Sequence, residues 1–148
     1  MTKPCPTDDS HFGLMDGRCV YFSKYRLTYD QAIENCKEKM KDYGKGILYQ
    51  PKSISEQKRI VDMAYEQLDP RYWHWIGVND IVTEGHYVYN SNNQTINFNP
   101  DWYNVYGSQG QSNNCIMIYV NAPDHVNYAK WADMPCTDTW YSICMSIN

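Results

Sequence analysis

Hydrophobic and polar positions change period several times along this chain, and each change marks an element. Residues 5 to 23 hold two short stretches of β character on either side of an Asp/Gly-rich turn, with Cys5 and Cys19 flanking them; this reads as a hairpin closed by a disulfide. Thr28-Tyr29-Asp30-Gln31 has the form of a capping box, in which two side chains satisfy the exposed amides at a helix start. Ala32, Ile33, Cys36 and Met40 follow at helical spacing, and the helix is expected to stop before Gly44 and Gly46. Ile47-Leu48-Tyr49 predicts a short strand ended by Gln50-Pro51. A second capping box, Ser53-Ile54-Ser55-Glu56, opens another helix with Ile54, Val61, Ala64 and Leu68 on its apolar face, and Asp69-Pro70 ends it.

From Tyr72 onward the residues turn aromatic and β-branched, which predicts strands. Residues 90–114 break this pattern. They contain eight asparagines, two glycines and little aliphatic content, so they predict a long irregular loop. A loop of that length inside a folded domain is normally either a mistaken assignment or a functional element. Ile116 to Val120 and Ser142-Ile143-Cys144 then return to strand character.

Composition narrows the class. A chain of 148 residues fits one domain spanning 1–148 and buries about two-thirds of its unfolded surface. Its six cysteines, Cys5, Cys19, Cys36, Cys115, Cys136 and Cys144, form no CxxC pair, so they predict a disulfide framework and an oxidising compartment. The net charge of -4 comes without a basic stripe, which argues against a nucleic-acid partner. No run of 18 apolar residues is present, so no membrane span is expected. The natural precursor is expected to carry an apolar leader ahead of this region. The four histidines share no metal spacing, the cysteines are taken up by bridges, and GxSxG and HExxH are both missing, so no enzymatic activity is expected.

Several of these segments together resemble the long form of the C-type lectin-like domain, over almost the whole chain. Cys5-Pro6 and Cys19-Val20-Tyr21-Phe22 resemble its N-terminal hairpin, and Leu27-Thr28-Tyr29-Asp30-Gln31-Ala32 through Cys36 its first helix. Trp75-Ile76-Gly77-Val78 resembles its WIGL core strand, and Trp131-Ala132-Asp133 with Cys136, Ile143 and Cys144 its closing segment. The resemblance implies an α+β fold, with two helices packed on antiparallel sheets and a long irregular loop. It also implies the pairs Cys5–Cys19, Cys36–Cys144 and Cys115–Cys136, a choice that spacing alone leaves open among 15 connectivities. By chain entropy the second bridge contributes roughly 4 to 5 kcal/mol and the third about 3, which would pin the far side of the loop.

In lectin members of this family a calcium ion coordinates sugar hydroxyls directly, since calcium takes six to eight hard oxygen ligands and a sugar can supply two. The implied protein ligands are a Glu-Pro-Asn or Gln-Pro-Asp tripeptide in the long loop, an acidic residue shortly before the third-from-last cysteine, and a Trp-Asn-Asp near the last strand. This chain keeps only part of the set. Ala132 stands where the Asn is implied, and Asn113 and Asn114 stand where carboxylates are usual. The tripeptide position falls on Tyr106-Gly107-Ser108 or, with a short insertion, on Trp102-Tyr103-Asn104; Asn99-Pro100-Asp101 looks similar but lies far from Cys115.

The metal candidates are accordingly Asp133, Asn113 and Asn104, with calcium weak or absent. The candidate ligand contacts are Asn104, Ser108, Asn113 and Asp133, with Trp102, Tyr103 and Tyr106 as a stacking platform; the plainer reading has these aromatics bury the loop instead. The expected function is a secreted, extracellular carbohydrate-binding protein that takes glycans or a glycoprotein. The alternative is a calcium-independent domain that binds a protein partner, ice or a mineral. The oligomeric state stays open between monomer and homodimer. Asn93-Gln94-Thr95 is an N-glycosylation sequon that would mark a surface position if used.

Overall fold

A two-residue turn sets the first element pair. Asp16 and Gly17 both take positive φ (52° and 78°), the geometry that matches the twist of a tight hairpin. It joins β1 (Phe12–Met15) to β2 (Arg18–Phe22), with Met15 opposite Arg18. The computed structural model describes residues 2–103 and 113–147. Helix α1 (Tyr29–Met40) begins at the predicted capping box: the Gln31 amide donates to Thr28 Oγ1 at 3.3 Å, and the Thr28 amide donates to Gln31 Oε1 at 3.1 Å. Strand β3 (Lys45–Leu48) follows, and then α2 (Ile54–Leu68).

The second capping box forms only by half. The Glu56 amide donates to Ser53 Oγ at 3.1 Å, but the Glu56 carboxylate accepts from the Lys52 amide and the Tyr49 hydroxyl rather than from Ser53. The buried face of α2 is also shifted. It consists of Gln57, Ile60, Val61 and Ala64, while Ile54 and Leu68 stay half-buried at its two ends. Gln57 is admitted because its amide is fully used: Nε2 donates to the Ala129 carbonyl at 3.3 Å, and Oε1 accepts from Trp131 Nε1 at 2.8 Å.

The remaining strands are β4 (Trp73–Asn79), β5 (Val88–Tyr89), β6 (Cys115–Tyr119), β7 (Trp131–Met134) and β8 (Tyr141–Ile147). They order as β1-β2-β8-β4-β6-β7, with β3 paired to β8 and β5 to β4. The expectation of antiparallel sheets fails at one pairing, since β4 runs parallel to β8 with His74 opposite Tyr141. Strand β4 divides two cores. Ile76 and Val78 join Phe22, Ile60, Ile118 and Trp131 in one, and Trp75 joins Tyr29, Met117 and the Cys36–Cys144 bridge in the other. Gly77 lies where a Cβ would come 2.6 Å from the Leu48 carbonyl, so the strand can pass β3 only without a side chain.

Three disulfides form, Cys5–Cys19, Cys36–Cys144 and Cys115–Cys136, as the resemblance implied. The described part of the loop is more ordered in its pairing than its composition predicts. The Tyr89 amide donates to Gln94 and the Ile96 amide to Tyr87, which closes a turn with Asn93 exposed at a positive φ of 58°. Polar side chains hide backbone pairing of this kind from any reading of hydrophobic period.

Candidate functional site

The loop's outgoing limb and the edge of the sheet meet at Trp131. The Trp131 amide donates to the Asp101 carbonyl at 2.8 Å, and the Tyr103 amide donates to the Trp131 carbonyl at 2.7 Å. Trp102 is half-buried, with its ring 5.8 Å from Trp131 and 5.1 Å from Tyr87, while Tyr103 meets Trp73 edge-on at 5.5 Å. Both aromatics thus pack the loop onto the domain. Asn104, Tyr106 and Ser108 lie outside the described residues.

Asp133 sits on β7 opposite Ile116 and is fully buried. Ala132 is buried as well, within the cluster around Trp75 and Met117. Asn113 and Asn114 are half-buried just ahead of β6, and the Asn114 carbonyl accepts from the Asp80 amide at 3.0 Å.

That bond brings in two residues absent from the sequence-derived candidates. Asp80 follows the last residue of β4 and is 1% exposed. Its Oδ2 accepts from the Gly85 amide at 2.8 Å across a short turn that carries Glu84. Burial pushes the Asp80 carboxyl up to about 6; the Gly85 amide opposes this, while the Glu84 carboxyl, by repulsion and a hydrogen bond, and the Asp133 carboxylate add to it. Asp80 lies two residues past the Trp75-Ile76-Gly77-Val78 run and Glu84 four residues further on. Nothing in that local pattern marks them as site residues, because the influence of Asp133 on Asp80 comes from the folded sheet.

Asp80, Glu84 and Asp133 thus share one electrostatic environment, bordered by the Asn113 and Asn114 amides. Among the described residues no three His, Cys, Asp or Glu side chains converge tightly enough to hold a metal ion by themselves. Asp80 Oδ1 is nevertheless buried without a hydrogen-bond partner among the described residues, and a cation beside it would relieve that cost. The donor set of the described residues does not by itself complete a cation site beside Asp80. It does not fit the sugar-bridging position, where Ala132 offers no side-chain oxygen. His74, in contrast, is a core residue: its buried ring lies with Nδ1 3.0 Å from the Tyr72 carbonyl, and burial lowers its pKa to about 4.

The family model of the lectin C-type domain matches residues 25–146, and the chain belongs to that family. C-type lectin domain family 3 member A of Homo sapiens is similar at 28% identity over 127 residues, 86% of this chain and 58% of that protein. The chain therefore spans a little over half the length of that relative. Two solved structures share the fold. The mouse scavenger receptor C-type lectin carbohydrate-recognition domain superposes with a TM-score of 0.74 at 21% identity, covering 96% of this chain and 95% of that one. A calcium-independent type II antifreeze protein superposes with a TM-score of 0.72 at 24% identity, covering 97% and 94%. Domains of this family are generally non-enzymatic and often bind calcium, though some do without it.

Proposed function

We propose that this chain is a secreted, single-domain carbohydrate-binding protein that takes its glycan on the long-loop face, with calcium weak or dispensable for the sugar contact. The observation that carries the reading is the burial of Asp133 together with the neutral residues at Ala132 and Asn113. Ala132 offers no side-chain oxygen, and Asn113 no charge, with which to hold an ion against a sugar hydroxyl. Contacts then fall to the amides, hydroxyls and rings of Asn104, Ser108, Asn113, Trp102 and Tyr106, with Asp133 beneath them. Three disulfides support an extracellular location, and no helix among the described residues is long and apolar enough to cross a membrane.

A glycan array probed with and without calcium tests this reading. Sugar hits that survive a chelator support it, and an array blank under both conditions refutes it. A second reading, a protein partner, draws on Ile81 and Val82, which are 54% and 87% exposed immediately after Asp80. An apolar pair beside the site suits a protein surface better than a sugar.

A further inference from the structure

One concavity among the described residues lies away from Asp133 and meets the 90–114 loop at Ser91 and Asn92. It is a groove of about 1020 Å³ between the N-terminal segment, the β1–β2 hairpin and the β3–β8 edge. None of its walls comes from β4, β6 or β7, so it occupies the sheet edge opposite Asp133. Its volume is at the upper end of the range for small-molecule sites.

Its charge is the informative property. The lining includes Lys3, Arg18 and Lys52 and not one carboxylate, in a chain with 17 acidic and 13 basic residues. Among the described residues no carboxylate comes within ion-pair distance of Arg18 or Lys52. Lys52 Nζ rests 4.1 Å over the Tyr89 ring, so it is positioned without being neutralised. Lys3 lies 3.7 Å from Asp42, but both are exposed and such a pair is readily exchanged for a ligand anion.

A smaller cleft of about 190 Å³ continues past Arg18 and Lys52 and does include two acids, Asp16 and Glu56. Both are engaged elsewhere. Asp16 holds Arg59 through two bonds of 2.9 and 3.2 Å, and Glu56 accepts from the Tyr49 hydroxyl and the Lys52 amide. The groove also offers flat apolar faces, with Phe12 and Tyr43 edge to face at 5.6 Å. Cations set beside aromatic faces and polar groups are what an acidic sugar chain needs: charge for its anions and rings for its C–H faces.

We infer that this groove is a second saccharide site, specific for anionic oligosaccharides that carry sulfate or carboxylate groups. It is separate from the Asp133 edge of the sheet, with the start of the loop at Ser91 and Asn92 on its rim, and it needs no metal. Titration calorimetry and amide-shift mapping in a chelator test it, with a fully sulfated heparin-derived hexasaccharide, a hyaluronan hexasaccharide, neutral chitohexaose and hexaglutamate as probes.

At least one anionic saccharide should bind, with shifts at Arg18, Tyr43 and Lys52, and binding should weaken as salt is raised. Binding of the sulfated probe alone assigns sulfate as the recognised group, and binding of hyaluronan assigns carboxylate. The exposed double variant R18Q/K52Q should lower affinity about tenfold, from two charge contacts of roughly threefold each. D133N, on the opposite edge, should leave this binding unchanged even if it abolishes capture at the loop, so the two sites fail separately. The inference is overturned if neither anionic saccharide binds, if hexaglutamate binds equally well, or if R18Q/K52Q has no effect.

Discussion

Replacing Asp80 with Asn tests the electrostatics of the loop base most directly. Asn keeps the size of the side chain and the oxygen that accepts from the Gly85 amide, and it removes only the charge. Burial raises the Asp80 carboxyl from 3.8 to about 6 in the folded protein. A shift of about 2 units corresponds to roughly 3 kcal/mol between the two protonation states. The sign follows from proton binding. Between about pH 4 and pH 6 the folded state holds more protons than the unfolded chain, so wild-type stability falls as pH rises through that window. Asp80→Asn has no such loss. In a chelator the variant should therefore exceed the wild type by about 2 to 3 kcal/mol at pH 7, and the two should converge near pH 4. Urea unfolding followed by tryptophan fluorescence from pH 4 to 7 measures this difference. A variant less stable than wild type at pH 7, or a gap independent of pH, would refute the account of Asp80 as a buried, repelled carboxylate.

The other predictions concern the scaffold. Gly77→Ala should destabilise by about 2 kcal/mol or more in a denaturant melt, since its Cβ would lie 2.6 Å from the Leu48 backbone oxygen, which cannot swing aside. Gln57→Leu leaves Trp131 Nε1 and the Ala129 carbonyl without their partner and should cost about 1 to 3 kcal/mol, measured the same way. Thr28→Ala should cost about 1 kcal/mol through the lost cap, whereas Glu56→Ala should act through Tyr49 and Lys52, so that Tyr49→Phe removes part of its effect in a double-mutant cycle. Replacing Cys36 and Cys144 together by Ala should cost roughly 4 to 5 kcal/mol, read as a fall in the denaturant midpoint.

Local chemistry settles local structure, and the sequence was sufficient there. Thr28 and Gln31 cap α1 and Asp16-Gly17 turns the hairpin, because each depends on neighbours a few residues away, whereas the Trp75–Val78 strand was placed in the core by the resemblance and pairs with Met117 and Ser142. The lectin-like resemblance supplied the disulfide pairing, which spacing does not contain. The candidate site was only half legible. Asp133 was identified as a candidate but its complete burial was not, and Asp80 and Glu84 were not among the candidates. Nothing between residues 80 and 133 along the chain says that these carboxylates meet. Their proximity is created by β6 and β7 stacking beside β4, and their energetics by the water which that stacking excludes. Gln57 is the same case in the core, a polar residue whose burial makes sense only once Trp131 and Ala129 are placed against it. The sequence determined the helices and the first hairpin, whose hydrogen bonds close within one stretch of chain. Tertiary structure decided the charge environment, because a side chain's pKa depends on which distant groups displace its solvent.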